Sequence, residues 1–91
     1  MVLNGSGVEG LAEREKTELE KAGFNITKLG NAPSGEYFGK VYIYDVGNKP
    51  ATREKIETYY NEKVQNLETM PSGIDTTGID FVVILGVGYS E

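Results

Sequence analysis

The sequence predicts an α/β (α+β) fold: a two-layer sandwich with two helices on one face of a 4–5-stranded mixed sheet. Three observations carry that prediction. Residues 8–22 and 50–63 repeat apolar side chains at helical spacing. Residues 1–3, 24–29, 40–46 and 80–86 have strand composition or alternation. The resulting order, β-α-β-β-α-(β)-β, is ferredoxin-like, and two right-handed crossovers would place both helices on the same face. Strand order stays open at this stage.

Met1-Val2-Leu3 is short beside the usual strand of roughly five or six residues. The single domain, 1–91, is therefore expected to be a piece of a longer protein. In the first helix, Val8, Leu11, Ala12, Leu19 and Ala22 share one stripe from about Val8 to Ala22, and Gly23 supplies the stop. Glu15 interrupts that stripe where an apolar residue is expected. Phe24, Ile26 and the stem of Lys28 alternate through a strand at 24–29, and 30–35 is a loop by composition.

In the 40–46 strand, Val41 and Ile43 point one way, Tyr42 and Tyr44 the other. Gly47-Asn48-Lys49 turns, and Pro50 suits the first turn of a second helix carrying Ile56, Tyr59, Tyr60 and Val64 on one side. Gln65 to Met70 can add a short fifth strand, and 71–78 is a polar loop. Asp80 to Gly86 is apolar on both faces, which suits an interior strand.

Bulk properties narrow the function. At 91 residues and 38% hydrophobic, the chain can bury one modest core. A net charge of −5 opposes nucleic-acid binding, and weakly opposes direct contact with teichoic acids or anionic lipid. Cysteine and histidine are both absent, which removes thiol nucleophiles, disulfides, the usual zinc sites and the commonest general base. No apolar run approaches the roughly 20 residues that span a bilayer, so no membrane insertion by these residues is expected. Asn25-Ile26-Thr27 and Asn4-Gly5-Ser6 match glycosylation acceptors, a pattern short enough to arise by chance.

Gly5-x-Gly7-x-x-Gly10 between a strand and a helix fits a dinucleotide-binding turn, where backbone approaches a pyrophosphate at a helix N-terminus. Three features oppose that reading. The expected ribose-binding acid is missing, since the second strand ends Lys28-Leu29-Gly30-Asn31. No helix joins the second and third strands, and the chain is too short for the other half of the fold. Without a lysine after the glycines, a P-loop is excluded as well. No cofactor and no metal follow from the sequence; nucleotide or anion binding at this turn is a remote alternative.

Asn4-Gly5-Ser6-Gly7-Val8-x-Gly10-Leu11-Ala12 resembles the opening of the LytR C-terminal domain family of bacterial cell-wall proteins. Leu19-x-x-Ala22-Gly23-Phe24, Val41-Tyr42-Ile43-Tyr44 and Phe81-Val82-Val83-Ile84-Leu85-Gly86 with Tyr89 match later motifs in the same order. The resemblance implies a small accessory domain outside the cytoplasm, at the cell surface or wall, behind a membrane anchor. It often follows the LytR–CpsA–Psr domain that attaches glycopolymers to peptidoglycan. Catalytic residues belong to that other domain, so none carries over. Two departures stand out: Glu15 replaces a small or aliphatic residue, and Val87-Gly88 stands where a polar residue more often precedes an Asp-Tyr. The first implies a partly exposed helix face or a cation beside Glu15. The family has also been labelled transcriptional regulation, but an acidic chain without a basic recognition helix offers no DNA contact.

Candidate contact residues are Asn4, Gly5, Gly7 and Gly10 in the turn, and Tyr42 and Tyr44 on the strand. The simplest role of the turn is architectural, with Asn4 bonding the loop, glycines giving positive φ or close packing, and Ser6 or a backbone group capping the helix. The alternative is an anion or glycan at the helix start. Tyr42 and Tyr44 either pack under the helices or the 31–39 loop, or contact a glycan or partner from an open sheet face. Glu13, Glu18, Glu20, Arg53, Glu54 and Glu57 read as a solvated face. Glu15 shows no catalytic partner in sequence. The leading function is a non-catalytic binding module for peptidoglycan, glycopolymer or another envelope protein. A structural, homodimerising domain through an uncovered sheet face comes second, and a small enzyme third.

Overall fold

Phe81–Leu85 is a run of large apolar residues, four of them β-branched or aromatic, and all five are buried. The sheet is built around it. The structure, a computed structural model, describes residues 1–90. Its elements are β1 (Val2–Asn4), α1 (Leu11–Lys21), β2 (Leu29–Asn31), β3 (Val41–Asp45), α2 (Pro50–Tyr60) and β4 (Phe81–Leu85), with short 3₁₀ turns at Leu67–Thr69 and Val87–Ser90.

The strand order is β2-β1-β4-β3. β1 runs parallel to β2 (Leu3 opposite Gly30) and to β4 (Leu3 opposite Ile84), while β3 is antiparallel to β4 (Ile43 opposite Val83). Two helices on a mixed four-stranded sheet give the expected α+β sandwich. The order puts β4 rather than β3 beside β1. Only the first helical connection joins parallel neighbours; α2 lies between antiparallel ones.

Period-two alternation divides the core into two layers. Val2, Val41, Ile43, Phe81, Val83 and Leu85 face the helices and meet Leu11, Ala12, Leu19 and Ile56. Leu3, Tyr44, Val82 and Ile84 face the other way and meet Tyr37 and Ile79. Of the two readings of this face, the fold shows packing under the 31–39 loop, with Tyr37 against Tyr44 and Tyr42, rather than an uncovered sheet face. β2 and β3 are opposite edges of the sheet, so residues 32–40 must cross its width, and Tyr37 is buried in that crossing. Residues 61–80 complete the cover. Val64 packs on the helix side, Gln65 N donates to Ile43 O of the β3 edge at 2.7 Å, and Met70, Ile74 and Ile79 pack on the far side.

Two strand assignments need correction. β2 is Leu29–Asn31, not 24–29, because β1 fixes its partner by backbone bonds from Val2 N to Lys28 O (3.0 Å) and from Ala32 N to Asn4 O (3.0 Å). Phe24 and Ile26 alternate because they pack against the helix-side core, not because they join a ladder. Residues 65–70 form no fifth strand. Asn66 accepts a bond from Glu68 N at 2.9 Å and turns the chain into a 3₁₀ helix. α1 also starts at Leu11 rather than Val8, which lies outside it and is half-exposed.

Candidate functional site

β1 ends at Asn4, and that side chain organises the glycine-rich turn. Its Oδ1 accepts from Ser6 N (3.0 Å) and Ser6 Oγ (2.6 Å), and its Nδ2 donates to Val8 O (2.6 Å). Ser6 Oγ accepts in turn from Val8 N at 3.0 Å. Ser6 therefore holds the turn and does not cap the helix. The N-cap is Gly10, with no side-chain cap and a φ of 81° that favours glycine. Gly5 serves a different need. A Cβ there would lie 2.8 Å from Tyr37 Cδ2 and 3.1 Å from Leu85 O. Its close backbone approach is to the chain's own Tyr37, where a nucleotide turn would meet pyrophosphate.

Asn4 and Asn31 are register partners at the carboxyl ends of two parallel strands. Beyond them the glycine turn and the 31–37 segment enclose a cleft of about 410 Å³, lined among others by Asn4, Gly7, Glu9, Asn31, Ser34 and Tyr37. Its lining contains no lysine or arginine, and Glu9 adds a negative charge. Gly5 and Gly7 line it; Gly10 does not.

Tyr42 and Tyr44 share a face as expected, but the 32–40 and 61–80 segments cover it. Tyr44 is 4% exposed. Tyr42 is half-buried, its hydroxyl accepts from Gly39 N at 2.7 Å, and its ring meets Tyr37 edge-on at 6.0 Å. The six candidates therefore separate: Asn4, Gly5 and Gly7 line one cleft, Gly10 caps α1 outside that lining, and the two tyrosines lie within the second core layer.

Sequence reasoning missed one cluster. Glu15 is 4% exposed, and its Oε2 accepts from both Tyr60 and Tyr89 hydroxyls at 2.6 Å. Burial and the Glu15 carboxylate hold both phenol protons well above the ordinary tyrosine range, more so at Tyr60. The phenols therefore stay donors. Of the two readings of Glu15, an exposed face or a paired charge, the side chain is buried and paired, with two neutral hydroxyls in place of a cation. The sequence did carry a signal, a charge within an apolar stripe, but its partners stand 45 and 74 residues away.

The family model for the LytR cell envelope-related transcriptional attenuator matches residues 1–89. The chain belongs to this LytR C-terminal family. No curated protein and no solved structure matches it. Family membership makes the chain an accessory domain of the kind found in cell-envelope regulator proteins, a generally non-catalytic class. Among the described residues no helix is long and apolar enough to cross a membrane.

The motifs of the LytR C-terminal family now have physical meanings. The opening motif is the Asn4-bonded turn. The central aromatic strand is β3, and the closing motif is β4 with the 3₁₀ turn that brings Tyr89 to Glu15. Glu15, the charge within the apolar stripe of α1, is thus bonded to the closing tyrosine.

Proposed function

We propose that this domain is a non-catalytic, glycan-contacting module of a bacterial envelope protein. It works outside the cytoplasm beside a domain that handles peptidoglycan or its attached glycopolymers. LytR C-terminal membership supports the setting. One observation carries the contact site: the Asn4–Asn31 pair at the carboxyl ends of β1 and β2, facing a cleft built by two loops. Crevices outside the carboxyl ends of parallel strands are recurrent ligand positions. Amide and hydroxyl groups beside an aromatic ring match the alternating polar and apolar surface of a sugar.

Charge selects among glycans. With Glu9 in the lining and no cation, an uncharged saccharide is favoured over a phosphate-rich polymer. Asn4 is engaged in the turn, so Asn31, exposed at the strand end, is the side chain to vary. Co-sedimentation with purified peptidoglycan tests this. Asn31→Ala is expected to weaken retention by about tenfold, the value of one hydrogen bond lost. Asn25→Ala, away from this cleft, is expected to behave as wild type. Equal retention of the Asn31→Ala variant would contradict the reading.

A protein-contact role has its own supporting observation. Phe38 is 72% exposed and Val87, whose N–H bonds Tyr37 O at 2.8 Å, is 39% exposed beside it. A concentration-dependent sedimentation coefficient abolished by Phe38→Ser would favour that role.

A further inference from the structure

β4 runs on through Gly86 into the 3₁₀ turn Val87–Ser90, which is tied to both sides of the sheet. Its side-chain anchor lies on the helix side. Tyr89 packs against that core layer, and its hydroxyl donates to Glu15 Oε2 at 2.6 Å. Its backbone anchors run to the segment that crosses the far face. Gly86 N donates to Lys40 O (2.7 Å), Val87 N to Tyr37 O (2.8 Å) and Gly88 N to Gly39 O (3.2 Å). A Cβ on Gly86 would collide with Gly39 O, so glycine is required at this crossing.

Tyr37 carries this restraint into the cleft beside Asn4 and Asn31. Its carbonyl takes the Val87 bond, and its hydroxyl donates to Pro33 O at 2.8 Å. Its ring lies against the glycine turn, 2.8 Å from where a Cβ on Gly5 would stand. Gly5, Pro33 and Tyr37 all line that cleft. Residues 32–40 contain no helix or strand of their own, so bonds from outside set their position. A four-residue 3₁₀ turn is equally weak by itself. A hydroxyl donating to a carboxylate is a strong bond, and it fixes the turn.

We infer, resting on the glycan reading of that cleft, that Tyr89 is a positioning residue for it. Its bond to Glu15 pins the C-terminal turn, and the turn's backbone holds Tyr37 and the 31–37 wall in binding geometry. Tyr89 acts from outside, since it is not among the residues lining the cleft. Contact groups need support of this kind to stay within about 0.5 Å of their productive positions. Tyr60 makes the matching control. It donates to the same Glu15 oxygen at 2.6 Å but belongs to α2 rather than to the turn.

Amide shifts of the unliganded domain and its retention by purified peptidoglycan, measured for wild type, Tyr89→Phe and Tyr60→Phe, test this role. Each variant removes one hydroxyl from the same carboxylate oxygen, so a purely stabilising role predicts equal effects. Positioning predicts unequal ones. Tyr89→Phe is expected to move the amides of residues 34–37 and to weaken retention by roughly threefold to tenfold. Tyr60→Phe should leave both near wild type despite its own loss of stability. Should Tyr89→Phe fail to fold, Glu15→Gln, which keeps an acceptor but loses the charge, is expected to move the same amides. Amides 34–37 that stay in place in Tyr89→Phe, or move no further than in Tyr60→Phe, overturn the inference. Retention weakened by Asn31→Ala but not by Tyr89→Phe overturns it too, and leaves the glycan reading standing. Absence of wild-type retention sinks the glycan reading instead, and the amide shifts alone then decide whether Tyr89 sets the 31–37 wall.

Discussion

Glu15 places a carboxylate where a helix stripe calls for an apolar side chain, and the fold accommodates it with phenols rather than with a cation. Removing a donor from a charged acceptor typically costs about 1.5–3 kcal/mol, partly offset here because Tyr89 still bonds the same oxygen. Tyr60→Phe is expected to lower unfolding free energy by about 1–2 kcal/mol in urea titrations at neutral pH. The same bond predicts alkaline lability. Tyr60 keeps its proton in the folded state well above the ordinary tyrosine value of about 10, whereas the unfolded side chain releases it near that value. Its contribution is thus fully present below about pH 10 and is lost above it, by at most about 1.4 kcal/mol per pH unit. Tyr60→Phe should flatten that alkaline limb. An unchanged limb would assign the lability to other groups.

Among the elements, the strands differ most in how they are held. β4 lies between β1 and β3 and is wholly buried, whereas every residue of β2 is exposed on an edge. Leu85→Ala is therefore expected to cost about 2–5 kcal/mol, while Leu29→Ala, 38% exposed, should cost under about 1 kcal/mol. Thermal and urea unfolding of the two variants would rank them. β4 was legible because a run apolar on both faces has one good place, the middle of a sheet. β3 was legible from its alternation, and both helices from their stripes. β2 was not, because Leu29-Gly30-Asn31 has no strand composition and owes its conformation to pairing with β1. Phe24 and Ile26 imitated a strand because packing under helices also imposes a sided pattern.

For the whole molecule, strand order is the fact that local pattern could not supply, and it decides what is accessible. With β2 and β3 on opposite edges, the β2–β3 connection must cross the sheet, and the segment after α2 rounds the β3 edge to join it. Tyr44 and Ile84 are sealed beneath these segments, so the reading of the two tyrosines as packed under the 31–39 loop fits the fold and stacking from an open face does not. The glycine turn was legible as a turn and as a family marker. Its neighbour across the cleft was not, because the 31–37 segment meets it only through the parallel pairing of β1 and β2. The tyrosine partners of Glu15 were hidden for the same reason, since they come from α2 and the C-terminal turn.

Amide chemical-shift mapping of the domain during titration with soluble muropeptides tests the central claim most directly. The account predicts shifts at residues 4–10 and 31–37, with the amides of Tyr44 and Ile84 unmoved. Shifts concentrated on β3 and the far sheet face, or none at either loop, would contradict it.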